Sequence, residues 1–322
     1  MKKLLFFLCL SSLIACAQDQ EKLKGLSFVG SRNLPSDEDW EKISQVGANS
    51  VTLMPYAYSK SGDSNLISST SWQWRGESFS GTDSIIAHAK KLGLRVILKP
   101  HLWIMDGEYT GKMTFPNKES RFAWNKQYIS YIVRFAALAD KHELAIFCLG
   151  NEMESLWTES PEDFEKLIKE CRKVYSGKLV YAANWDAYHK FPSWNLLDYI
   201  GVNAYFPLKN KDLAADHWAT INKDLAQFSE KIGRKIIFTE LGYRSIENPF
   251  KEPWVSDTPE AESQEMQALA WEIFFENAWN QDYLLGVFVW KWFPNFSGDR
   301  RKHGFTPQHK LAEKTIAKHF KR

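Results

Sequence analysis

Short apolar runs alternate with longer amphipathic stretches along this chain of 322 residues. Eight runs read as strands: Gly25–Gly30, Ser50–Pro55, Leu94–Pro100, Leu144–Gly150, Lys178–Ala182, Tyr199–Ala204, Lys235–Thr239 and Leu285–Trp290. Helical spacing marks Thr82–Leu92, Arg121–His142, Pro161–Tyr175, Ala215–Ile232 and Pro259–Asn280. Several of these open on Ser, Thr or Asp caps, and one on Ser160-Pro161, where the missing proline N–H costs nothing. Strands alternating with helices predict a parallel, closed sheet of the α/β class, a single (β/α)8 TIM barrel. Such a barrel commonly needs about 250 residues, so the chain holds one large domain over residues 25–322 with room for insertions.

The longest predicted loops are Tyr56–Gly81, His101–Ser120 and Leu241–Thr258. Each follows a strand, which puts it on the face where a barrel builds its active site. These loops carry Trp72, Trp74, Trp103, Tyr109 and Trp254. With 14 Trp and 15% aromatic residues, the chain has more ring surface than core packing asks for, and a cleft that stacks on sugars would use the excess.

Two segments carry the chemistry. Leu149-Gly150-Asn151-Glu152 and Phe238-Thr239-Glu240 each end an apolar run by delivering a glutamate. Their spacing fits three intervening β/α units, so the two residues belong to the fourth and seventh strands of the barrel. Breaking a glycosidic bond requires a proton for the departing oxygen and a nucleophile or activated water for the anomeric carbon, and a carboxyl pair meets both needs. Asn151, beside Glu152, is an amide able to hydrogen-bond the sugar hydroxyl next to the reacting carbon. Chain order assigns Glu152 as acid/base and Glu240 as nucleophile.

The runs Lys99-Pro100-His101-Leu102-Trp103, Gly150-Asn151-Glu152, Ala183-Asn184-Trp185-Asp186, Gly201-Val202-Asn203-Ala204-Tyr205-Phe206-Pro207, Thr239-Glu240-Leu241-Gly242-Tyr243-Arg244-Ser245 and Trp290-Lys291-Trp292 together resemble glycoside hydrolase family 113. These are retaining enzymes on a (β/α)8 barrel, known chiefly for β-1,4-mannanase activity. The resemblance spans about Lys24 to the final strand. It implies the same roles for Glu152 and Glu240, and makes Tyr205 a hydroxyl that orients the nucleophile. Asn184, Trp185 and Asn203 are expected to line sugar subsites, although Asn203 replaces an aspartate common in the family. The second strand also ends without a tryptophan the family would place there.

His101, Trp103 and Lys99 share one side by alternation and are expected to recognise sugar hydroxyls. Trp290 and Trp292 share parity on the eighth strand, so either can floor the reacting subsite. The eight His show no paired metal-ligand spacing, no glycine-rich phosphate loop precedes a helix, and no nucleophile elbow surrounds a Ser or Cys. No metal or cofactor is expected.

Residues 1–15 read as an export signal: Lys2 and Lys3, an apolar stretch Leu4–Leu10, then Leu13-Ile14-Ala15-Cys16. That ending resembles a bacterial lipobox, which would lipidate Cys16 and anchor the protein to a membrane through a tether over residues 16–24. Removing the signal takes away two lysines and lowers the formal charge from +2 to 0, so nothing attracts nucleic acid. Cys148 and Cys171 remain, expected as two buried free thiols, with a bridge between them the alternative that the export route leaves open. The reading is an exported, lipid-anchored monomer acting on β-linked polysaccharide, most simply an endo-β-mannanase. Its alternatives are an exo-acting β-mannosidase or β-hexosaminidase, and a glycan-binding surface lipoprotein without turnover.

Overall fold

The computed structural model describes residues 21–255, 259–296 and 302–322. The export signal and Cys16 lie outside them. Ten strands follow in chain order: β1 Leu23–Phe28, β2 Ser50–Leu53, β3 Tyr56–Ser59, β4 Arg95–Leu98, β5 His101–Ile104, β6 Ile146–Asn151, β7 Lys178–Asn184, β8 Tyr199–Asn203, β9 Ile236–Leu241 and β10 Leu284–Trp292. The helices are α1 Asp37–Gln45, α2 Phe79–Lys91, α3 Lys118–Lys141, α4 Glu154–Glu159, α5 Pro161–Arg172, α6 Ala214–Ile232, α7 Gln264–Asn277 and α8 Leu311–Phe320.

Eight strands close into a parallel barrel in the order β1, β2, β4, β6, β7, β8, β9, β10, and β10 pairs back with β1. Alternation along each strand divides the core in two. Leu23, Ile97, Ile146, Val180, Ile237 and Phe288 fill the barrel interior, while the opposite faces pack against the helices in a larger cluster. Withdrawing each such side chain from water contributes roughly 1.5–3 kcal/mol. Phe288 reaches so far across that a Cβ at position 25 would lie 2.3 Å from its ring, so Gly25 is required by the packing.

β3 and β5 were not expected. Pro55 and Pro100 end two predicted strands, because proline cannot donate to a ladder. Yet the chain resumes extended structure beyond each proline, and β3 and β5 pair in parallel as a small sheet on the rim. His101 N–H donates to Pro55 O at 2.8 Å and so carries the ladder across the interruption. Three helices, α1, α4 and α8, were also not expected, and α7 starts at Gln264 rather than Pro259. Residues ahead of it are held extended by a bridge between Ile246 and Glu262, and the Ser263 side chain then caps the helix.

Candidate active site

β6 and β9 are the fourth and seventh strands of the barrel, and they bring Glu152 and Glu240 to its carboxyl-terminal rim. Glu152 follows the last residue of β6 with φ +50°, a left-handed conformation costing a non-glycine residue on the order of 1–3 kcal/mol. Its neighbours over-determine it. Glu152 N–H donates to Ala182 O at 2.9 Å, and Met153 N–H donates to Tyr181 Oη at 2.8 Å. Tyr181 Oη also accepts from Trp157 Nε1, and Tyr128 Oη donates to Leu149 O. The kink turns the Glu152 side chain out of the strand alternation and into the cleft.

Glu240 lies within β9 and is 5% exposed. Lys99 Nζ donates to its Oε1 at 2.6 Å, and Tyr205 Oη donates to its Oε2 at 2.9 Å. An ammonium and a phenol on separate oxygens are donors suited to a carboxylate rather than to a carboxylic acid. His101 Nε2 stands 3.9 Å from Oε1. Burial, with Lys99 and Lys291 nearby, holds the His101 imidazole well below its usual range, so it is a neutral neighbour.

One amide network joins the two glutamates. Asn203 Nδ2 donates to Glu152 Oε1 at 2.9 Å and to Asn151 Oδ1 at 2.9 Å, while Thr239 Oγ1 donates to Asn203 Oδ1. Lys99 Nζ, an unambiguous donor, also reaches Asn151 Oδ1 at 3.3 Å. That fixes which way both amides point, and leaves Asn151 Nδ2 without a partner among the described residues. An aspartate at position 203 could not donate to Asn151 and Glu152 in this arrangement.

Glu152 receives a different treatment from Glu240. Burial first, and the Glu240 charge second, push its carboxyl up to about 8, against the opposing hydrogen bond from Asn203. The Tyr205 hydroxyl is held well above its usual range by burial and by Glu240, so it stays a donor. Two carboxyl groups in one site thus differ in state, one held protonated to mildly basic pH and the other paired with a cation.

Both glutamates line a cleft of about 1130 Å³. Trp103, Asn184, Trp185, Tyr205 and Trp290 also line it. Trp185 stacks on Trp254 with ring centroids 5.1 Å apart. The Asn184 amide is engaged within the protein, donating to Tyr109 Oη and accepting from Trp185 N–H. His101 lies parallel to Trp290, 6° between ring planes, and its buried Nε2 has no hydrogen-bond partner among the described residues.

Three expected substrate contacts are corrected. Lys99 is 1% exposed and spent on Glu240, so it meets the carboxylate rather than sugar hydroxyls. Asn203 is fully buried and reaches the site only through Asn151 and Glu152. Trp292 is 1% exposed and packs in the core outside the barrel interior. Its parity with Trp290 is lost because β10 carries one more residue than β1 between the Leu26–Val289 and Phe28–Trp292 pairs, a bulge that re-aims the strand end. Trp290 and the adjacent Lys291 both line the cleft instead.

Sequence reading missed Glu154, two residues beyond Glu152. It resembles an ordinary acidic residue in a first helical turn, but it accepts from Tyr109 Oη at 3.2 Å, and burial raises its carboxyl above the usual range. Gly111 makes room for it, since a Cβ there would lie 2.0 Å from the Glu154 carboxylate. Phe305, edge-on to Tyr205, was also missed, and closes the cleft from beyond the last barrel strand.

The model of Glycoside Hydrolase Family 113 matches residues 32–305, most of the chain. Among solved structures, a family 113 β-mannanase from Alicyclobacillus acidocaldarius in complex with ManMIm superposes with TM-score 0.81 at 23% identity, covering 94% of this chain and 98% of that one. A complex of a family 113 β-1,4-mannanase gives TM-score 0.82 at 21% identity, covering 93% and 99%. A β-glucuronidase from Ruminococcus gnavus gives TM-score 0.67 at 15% identity, covering 93% of this chain and 50% of that one. An intracellular exo-α-(1→5)-L-arabinofuranosidase of Halalkalibacterium halodurans is 23% identical over 171 residues, 47% of this chain. The match takes in 33% of that relative's length.

Proposed function

This chain belongs to glycoside hydrolase family 113, and on that premise we propose that it is a retaining endo-β-1,4-mannanase with Glu152 as acid/base and Glu240 as nucleophile. The glycosidase activity follows from the family, and the substrate and roles are our reading. The observation that carries it is the asymmetry of the two carboxyl groups. Glu240 faces two donors, one of them the Lys99 ammonium, while among the described residues Glu152 has only the Asn203 amide as side-chain donor, and its carboxyl is pushed up to about 8.

In the first step a Glu240 oxygen bonds to the anomeric carbon as the glycosidic bond breaks, and the departing oxygen takes the Glu152 proton. A glycosyl ester on Glu240 results. Glu152, now ionised, accepts a proton from water as its oxygen attacks the same carbon, and Glu240 departs as carboxylate. In this reading Asn151 Nδ2 would donate to the neighbouring sugar hydroxyl, and Trp290, which lines the cleft, would stack on the reacting ring.

β-Mannan is supported by the two mannanases that match this fold over nearly their whole length. Internal cleavage is the reading of the two mannanases carried over with the substrate. Incubation with β-mannan, β-glucan and chito-oligosaccharides tests the substrate; new reducing ends and short oligomers are expected from mannan alone. Glu152→Ala should accumulate a glycosyl-enzyme on activated substrates and be relieved by azide, whereas Glu240→Ala should form none. A covalent sugar on another residue would defeat the assignment.

A further inference from the structure

A second concavity of about 670 Å³ opens on the rim loop between β3 and α2, lined by Trp72, Trp74, Arg32, Arg75, Gln73 and two serines. Trp72 and Trp74 are 54% and 43% exposed, unusual for the largest apolar side chain. No acidic side chain lines this concavity, and neither arginine forms an ion pair among the described residues.

The rim sheet connects it to the active site. Register places Tyr56 opposite His101 and Tyr58 opposite Trp103, so these four rings share one face of the β3–β5 pair. Ring contacts then run outward from the reacting centre: Trp290 to His101 at 6.3 Å, His101 to Tyr56 at 5.3 Å, Tyr56 to Tyr58 at 6.4 Å and Tyr58 to Trp72 at 4.7 Å. His101 is buried, so the exposed route from the catalytic cleft to these tryptophans runs from Trp103, which lines the cleft, to Tyr58 opposite it in register and on to Trp72. Such rings stack on the apolar faces of sugars, while guanidinium groups pair with carboxylates.

We propose that the Trp72–Trp74 concavity is a second glycan site, continuous with the cleft through the rim sheet, that takes an acidic sugar of a β-glycan chain. This rests on the reading of the main cleft as a β-glycan site. The tryptophans supply affinity for any sugar in the chain. Arg32 and Arg75 supply the preference for a carboxylate-bearing one.

Affinity electrophoresis of the Glu240→Gln protein tests this without turnover, using β-mannan and the same polymer with a fraction of its primary hydroxyls oxidised to carboxylates. The oxidised polymer is expected to bind about tenfold more tightly at low salt and to lose that advantage near ~1 M NaCl. Adding Arg32→Gln with Arg75→Gln should remove the preference although Lys291, Lys302 and Arg244 still line the main cleft. Adding Trp72→Ser with Trp74→Ser should weaken binding of both polymers about tenfold. All four side chains are exposed, so thermal unfolding should be little changed, and Trp72→Ser alone carries the test should the pair fail to fold. Equal binding of the two polymers by the Glu240→Gln protein, an undiminished preference in the arginine variant, or undiminished binding in the tryptophan variant overturns the site. Reducing-end release by the wild type from untreated mannan judges the mannanase reading separately, because the binding comparison uses an inactive protein.

Discussion

Glu152 holds its proton through burial first, the Glu240 charge second and, to a smaller extent, the Glu154 charge, and in the proposed mechanism the Glu240 contribution is removed as the reaction proceeds. If Glu240 is esterified as proposed, the carboxyl of Glu152 should fall part of the way back toward its usual range, burial remaining, at the step where a base rather than an acid is needed. In the resting enzyme, activity should fall as pH rises through about 8, as the acid loses its proton, and a pH profile of kcat/KM checks this. The stability consequence has a definite sign. A carboxyl raised in the folded state binds more protons there than in the unfolded chain, so its contribution declines between about pH 4.5 and 8. Glu152→Gln should therefore raise Tm more at pH 8 than at pH 5, and equal gains at both would contradict the shift. Lys99→Met leaves the Glu240 charge buried without its cation and should cost about 3–5 kcal/mol in denaturant unfolding, with much of the loss recovered by adding Glu240→Gln. Both glutamates were legible in the sequence, because each closes an apolar strand. The partner of Lys99 was not, since alternation gives the side a residue faces but not what stands 141 positions away across the barrel.

At the scale of elements, a single bulge decides the use of two tryptophans. Period-two alternation put Trp290 and Trp292 on one face, but the extra residue in β10 sends Trp292 into the packing outside the barrel and leaves Trp290 in the cleft. Trp292→Ala should thus cost about 3–5 kcal/mol of stability as a core truncation. Trp290→Ala should lower kcat/KM at least tenfold with a smaller change in Tm; unfolding and steady-state kinetics on both variants distinguish the outcomes. The rim strands were illegible for a related reason. Prolines at 55 and 100 signal an end to pairing, and only the folded barrel shows that β3 and β5 lie close enough to resume it. The five predicted helices, with their longer period, start within a few residues of the observed ones except where the bridge at Glu262 delays α7, whereas α1, α4 and α8 were not predicted.

For the whole molecule, regular alternation of strand and helix made the closed barrel readable from sequence, whereas α8 and the segment bearing Phe305 follow the last strand and had no comparable pattern. Membrane attachment through Cys16 stands on the lipobox-like residues alone, and it makes a clear prediction: Cys16→Ser should yield unprocessed or soluble protein, while a free Ala17 amino terminus in the native host would refute the anchor. The barrel's polarity bears on how any such attachment would work. Because all eight strands are parallel, their amino ends share one face, and the cleft lies at the other. β1 enters from that lower face, where the Lys22 ammonium is fastened to the Leu284 and Gln281 carbonyls. The carboxyl terminus arrives there too, with Lys321 lying against Gly47 in the turn that precedes β2. Lys22, near the start of the described residues, and Lys321 therefore both lie on the side away from the cleft, so a tether joined at either one, lipid or laboratory bead, would present the active mouth outward to a polymer too large to diffuse in.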